Sequence, residues 1–125
     1  MTMTMTNILI IVGVMLAYVV FKQLTGPKVE HVSGEQLDAL LKDHETRRQF
    51  VDVRTPSEYA SRKIKGFKNI PLQSLQQSAG SLDQEMPIVL LCASGSRSMQ
   101  AAQILSKIGF KKIINVRGGI SLYRG

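Results

Sequence analysis

The chain has 125 residues and a formal net charge of +7, so it has room for one domain with a modest core. Its single cysteine excludes an intramolecular disulfide, in keeping with a reducing compartment. No basic helix and no basic strand interleaved with aromatics occurs, which argues against nucleic acid as the reason for the positive charge; anionic lipid or small anionic substrates fit better.

The N-terminal stretch cannot belong to a soluble core. No charged side chain occurs in residues 1–21, and residues 8–21 are apolar except for Gly13 and Tyr18. A bilayer core of about 30 Å needs roughly 20 helical residues, so residues 3–21 are just long enough. A cleaved signal peptide fits poorly: no Lys or Arg precedes the run, and Leu24-Thr25-Gly26-Pro27 is a weak cleavage site. All-round hydrophobicity argues against a buried core helix. A transmembrane helix is therefore expected in residues 1–24, a linker in 25–28 and a folded domain in 29–125. All 16 Lys and Arg lie after residue 21, starting with Lys22 and Lys28. The positive-inside rule then predicts a single-pass protein of the cell (inner) membrane, with the lipid bilayer as a partner and the domain in the cytoplasm.

Beyond Gly26-Pro27, Val29-Glu30-His31-Val32 reads as a strand. Ser33 with Gln36 forms an N-terminal helix signal ahead of the stripe Leu37, Leu40, Leu41. A polar stretch, residues 43–48, leads to a second strand at Phe50-Val51-Asp52-Val53, and Pro56 opens a short helix through Glu58 and Tyr59. Asn69-Ile70 is briefly extended, and residues 72–77 suit another short helix. Residues 87–91 are a near-continuous apolar strand, expected when helices cover both sheet faces. The next helix carries Met99, Ala102, Leu105 and Ile108 on one side and ends at Gly109. Ile113-Ile114-Asn115-Val116 is the last strand. Strands alternating with helices predict an α/β fold with a parallel sheet, whose site lies outside the carboxyl ends of the strands.

Cys92 stands at that place. It follows the apolar strand and heads the loop Cys92-Ala93-Ser94-Gly95-Ser96-Arg97-Ser98, which runs into a helix N-terminus. The N–H groups of such a turn converge on an anion, either a thiolate or an anionic group carried on the sulfur. His31 and His44, in a strand and a polar loop, are expected to lie too far from any motif to serve as bases or ligands, and no metal-ligand spacing occurs.

Three stretches together resemble the rhodanese family. They are Asp52-Val53-Arg54-Thr55-Pro56-Ser57-Glu58-Tyr59 with Ile64-Lys65-Gly66 and Asn69-Ile70-Pro71; the loop of residues 92–98; and Asn115-Val116-Arg117-Gly118-Gly119-Ile120. The resemblance covers about residues 28–125 in the family's order and spacing. It implies a mainly parallel five-stranded sheet flanked by helices. It also implies sulfurtransferase chemistry through a persulfide on Cys92, with no cofactor because the enzyme carries the sulfur itself. The donor would be a small sulfane-sulfur compound such as thiosulfate, or a protein persulfide. The acceptor would be cyanide, a thiol or another protein.

Within that resemblance, the loop amides, the helix N-terminus and Arg97 favour a Cys92 thiolate. The N–H groups of residues 93–97 would hold the persulfide, with Gly95 permitting close backbone approach. Ser94, Ser96 and Ser98 act either as hydroxyl donors or as turn and cap residues. Arg97 either steers anionic donors or braces the loop against a carboxylate, bracing being the preferred reading. Asp52, Arg54 and Glu58 are expected to be structural support. Arg62, Lys63, Lys65 and Lys68 form a basic run whose default place is a solvated surface. The Cys-x4-Arg spacing favours sulfur over the phosphate or arsenate that relatives with Cys-x5-Arg bind. The competing expectation is a membrane-tethered sulfur-relay or interaction module with little turnover on small donors. Two positions depart from the family: Lys63 stands where a His often precedes Ile-x-Gly, and Tyr123 follows where many members have a Trp and a terminal helix. A shortened last helix and a weak edge there are expected.

Overall fold

The computed structural model describes residues 2–24 and 28–125. Helix α1, Met5–Leu24, buries none of its residues and has a mean hydropathy of 2.0 over an 18-residue window. It is long and apolar enough to cross a membrane. Lys22 in its last turn complements the helix dipole. The linker expected at 25–28 falls outside the described residues except for Lys28.

Five strands, β1 (Val29–Val32), β2 (Gln49–Asp52), β3 (Lys68–Asn69), β4 (Ile88–Leu91) and β5 (Ile113–Val116), form one sheet in the order β1-β5-β4-β2-β3. Every pairing is parallel. Helices α2 (Gly34–Lys42), α3 (Pro56–Ser61), α4 (Leu75–Ser78) and α5 (Ser96–Ile108) connect the strands. The expected α/β fold is present. Central β4 reads Ile-Val-Leu-Leu and is buried throughout, because both its faces are covered. One apolar cluster gathers Val51, Leu75, Leu90, Ala101, Ala102, Leu105 and Ile113; the other, on the opposite face, gathers Val32, Leu37, Phe67, Leu91, Ile114 and Ile120.

Local chemistry sets the boundaries. Ser33 Oγ accepts from Gln36 N at 3.2 Å while Gln36 Oε1 accepts from Ser33 N at 2.8 Å, starting α2 where expected. Strand β2 begins one residue early. The Gln49 side chain donates to Asp83 O at 2.8 Å and accepts from Asp83 N at 2.7 Å, clamping it to the turn before β4. The helix expected over 72–77 is broken into a 3-10 turn (Leu72–Ser74), α4, and a second 3-10 turn (Ala79–Ser81).

The buried stripe of α5 also differs from expectation. It is Ser98, Ala101, Ala102 and Leu105, whereas Met99 and Ile108 are half-buried. The small pair Ala101 and Ala102 faces the sheet, and a polar residue, Ser98, takes one core position. After β5 a 3-10 turn, Gly119–Leu122, occupies the place of the longer helix. The edge expected to be weak is tied down: Arg62 Nη2 donates to Tyr123 O at 2.8 Å, and the Tyr123 phenol donates to Asp38 of α2.

Candidate active site

Parallel order sends the carboxyl ends of β2, β4 and β5 to one edge, and Cys92 is the first residue after β4 there. The chain then turns back through Gly95, whose φ of +109° belongs to the left-handed region that glycine enters without strain. That turn aims Gly95 N at the sulfur, donating to Cys92 Sγ at 2.7 Å. The Ser98 hydroxyl lies 3.4 Å from Sγ, from the first turn of α5. Burial pushes the Cys92 thiol up, but the Ser98 hydroxyl and the N–H groups of Ser98, Gly95 and Ser94 outweigh it, so its pKa is lowered from the ordinary 9.0.

Cys92 has no accessible surface. The glycine pair beyond β5 closes over it: Ile120 N donates to Cys92 O at 2.9 Å and Ser121 N to Ala93 O at 3.1 Å. A Cβ on Gly119 would stand 2.3 Å from Cys92 O, so only glycine fits that approach. A cleft of about 910 Å³, lined by Lys42, Arg47, Arg48, Phe50, Lys63 and Lys65 among others, touches none of residues 92–98.

The Arg97 guanidinium is paired with a carboxylate, while the Cys92 charge also acts on it. Its Nη1 and Nη2 donate to Glu58 Oε1 and Oε2 at 2.7 and 2.8 Å, linking the first turn of α5 to α3. Glu58 also closes the capping box of α3, accepting from Thr55 N at 3.2 Å and from Thr55 Oγ1 at 2.9 Å. With these donors, Arg97 foremost, its carboxyl pKa falls to about 2.

Asp52 and Arg54 are fully and almost fully buried as an ion pair at 2.7 Å. Arg54 further donates to the carbonyls of Glu58 and Arg62, satisfying the C-terminal end of α3. Asn69 Nδ2 donates to the carbonyls of Asp52 and Arg54 at 3.0 and 2.9 Å. These residues hold the turn that carries Glu58, and Glu58 in turn holds Arg97.

The three loop serines separate. Ser98 is buried and bonded, donating to Gly95 O at 2.9 Å, whereas Ser94 and Ser96 are exposed with no side-chain hydrogen bond among the described residues. Ala93 lies half-buried under the glycine pair. Arg62, Lys63, Lys65 and Lys68 are exposed, Lys63 resting 5.3 Å from the Tyr59 ring centroid.

Two connections are absent from the sequence reading. Thr55-x-x-Glu58 is a capping-box spacing, a signal available but not used. The other is a correction: His31 is not remote from the Cys92 loop. Parallel pairing sets it opposite Asn115, whose Nδ2 lies 3.0 Å from His31 Nδ1 and whose Oδ1 accepts from Ser98 Oγ. Only the β1–β5 register reveals this contact.

The family model for the rhodanese-like domain matches residues 33–125. Thiosulfate sulfurtransferase GlpE of Pseudomonas paraeruginosa is 32% identical over 76% of this chain and 84% of its own length. The uncharacterized protein YqhL of Bacillus subtilis is 39% identical over 62% of this chain. The matches span 61%, 45% and 32% of the length of three of the curated relatives, so the chain corresponds to only part of each. The crystal structure of a rhodanese-like domain protein from Staphylococcus aureus superposes with a TM-score of 0.69 at 27% identity, covering 76% of this chain and 91% of that one.

Proposed function

The chain belongs to the rhodanese-like domain family, and on that premise we propose that it is a sulfurtransferase that carries sulfane sulfur as a persulfide on Cys92. The observation that carries this reading is the Cys92 sulfur, held by Gly95 N–H at 2.7 Å and the Ser98 hydroxyl at 3.4 Å, with its pKa lowered. A thiolate at that point attacks the outer sulfur of a donor. With thiosulfate, named in the GlpE relatives, a Cys92 S–S bond forms, the donor S–S bond breaks and sulfite leaves with the bonding pair. An acceptor thiolate or cyanide then attacks the outer sulfur, the Cys92 S–S bond breaks, and the electron pair returns to Cys92 as thiolate. No external oxidant or reductant enters. The loop amides hold the anion before and after each transfer.

Steady-state transfer from thiosulfate to cyanide tests this reading. Wild type should turn over, Cys92→Ala should not, and an inert wild type contradicts small-donor turnover.

Full burial of Cys92 favours a second reading, a sulfur-relay module that receives sulfur from a protein persulfide. The docking partner would open the loop, and small donors would react slowly. Loading from a persulfidated protein without thiosulfate turnover is its signature.

Helix α1 supports a membrane tether, with Lys22 and Lys28 at its cytoplasmic end by the positive-inside rule. The domain would then work at the inner face of the cell membrane.

A further inference from the structure

Ser98 Oγ has one proton and three acceptors around it: Gly95 O at 2.9 Å, Asn115 Oδ1, and Cys92 Sγ at 3.4 Å. A hydroxyl can serve only one of them at a time. With Cys92 as a thiol, the order closes. The S–H donates to Ser98 Oγ, Ser98 donates to Asn115 Oδ1, and Asn115 Nδ2 donates to His31 Nδ1, which must then be the unprotonated ring nitrogen.

With Cys92 as a thiolate or persulfide anion, that order fails. Ser98 must donate to sulfur, which leaves its oxygen and Asn115 Oδ1 facing each other with no proton between them. Asn115 is 4% exposed, so water cannot repair the clash cheaply. Rotating the Asn115 amide by half a turn restores every bond: Nδ2 donates to Ser98 Oγ, and Oδ1 accepts from His31 Nδ1–H. The two amide orientations are nearly isosteric, so the change needs no repacking.

We propose that His31 is a positioning residue for the Cys92 anion, acting through the Asn115 amide and the Ser98 hydroxyl. Donation from His31 Nδ1 locks the amide in the orientation that frees the Ser98 proton for sulfur. Protonated His31 donates from both ring nitrogens and so admits only that orientation. An Nδ1–H on His31 and an anion at buried Cys92 therefore require the same amide orientation. The proton lost from Cys92 goes to solvent.

Other charges nearby leave this route intact. Strand β1 is the sheet edge and carries Glu30 on the opposite face of the pleat from His31. Strand β5 is followed by Arg117, and α5 contributes Arg97, held by Glu58, and Lys107, nine residues beyond Ser98 and about 13 Å along the helix.

The inference rests on Cys92 being the reactive anion, but its test does not need sulfur transfer. Cys92 is the only cysteine, so the ultraviolet absorbance of thiolate in the full-length protein in detergent reports it alone. His31 is exposed, so His31→Ala should fold normally. The expected result is an upward shift of the thiolate midpoint, a loss of about two- to tenfold in thiolate fraction below the midpoint. His31→Gln, whose amide can donate or accept, should recover part of it. Asn115→Asp, with two acceptor oxygens and a negative charge, should shift the midpoint further up. A midpoint in His31→Ala equal to wild type overturns the proposal. Persulfide formation with an unmoved midpoint would refute only this inference; a moved midpoint without persulfide would refute only the sulfurtransferase reading.

Discussion

Arg97 and Glu58, 39 positions apart, form a two-point ion pair at 2.7 and 2.8 Å that joins the Cys92 loop to the capping box of α3. The cation of the Cys92 loop is thus committed to a carboxylate, and the sulfur is held by amides and a hydroxyl. Replacing Glu58 by Gln should free Arg97 and weaken the fold. Both side chains are about a third exposed, 29% and 35%, so the loss should be roughly 1 kcal/mol rather than the larger figure a buried pair would give.

The same pair sets an acid sensitivity. Glu58 titrates at about 2 in the folded protein against 4.5 ordinarily, so the unfolded chain binds the proton first. Its contribution is complete above about pH 4.5 and is lost as the pH falls through the window down to about 2. Urea unfolding across that window should give a steeper fall in stability for wild type than for Glu58→Gln. Equal slopes would contradict the pair's role.

Breaking the Asp52–Arg54 pair should be far more costly. Asp52→Asn leaves a guanidinium buried at 3% exposure without its counter-charge. About 3–5 kcal/mol of stability should go, measured by chemical denaturation.

Gly119 tests the close approach over the Cys92 loop. An added Cβ at φ +60° meets Cys92 O at 2.3 Å and Ala93 O at 2.7 Å, both backbone atoms that cannot step aside cheaply. Gly119→Ala should cost about 2–3 kcal/mol, read as a Tm drop of roughly 10–20 °C. An unchanged Tm would show that the turn relaxes freely.

The tether has a separate test. Residues 28–125 alone should be soluble and retain the far-ultraviolet spectrum of an α/β domain, while the full chain should partition into detergent. A full chain that stays soluble without detergent contradicts the membrane reading of α1.

What could be read from the sequence was whatever depends on local pattern. The strand at Ile88-Val89-Leu90-Leu91, the cap at Ser33 and the position of Cys92 all follow from periodicity, capping spacing and an apolar run. Contacts made by register did not follow. His31 and Asn115 are 84 positions apart, and only the decision to pair β1 beside β5 makes them neighbours. Likewise the choice between steering and bracing for Arg97 waited on α3, whose first turn brings Glu58 within reach. On α5 the expected stripe holds at Ala102 and Leu105, but the sheet takes Ser98 and Ala101 where apolar character points to Met99 and Ile108.

The central claim is that Cys92 carries transferable sulfur. Intact-protein mass spectrometry after exposure to thiosulfate, and separately to a persulfidated protein, tests it most directly. Wild type should gain the mass of one sulfur atom, lose it on adding cyanide or a thiol, and Cys92→Ala should gain nothing. A wild type that gains no sulfur from either donor, or a Cys92→Ala variant that gains as much, would contradict the account.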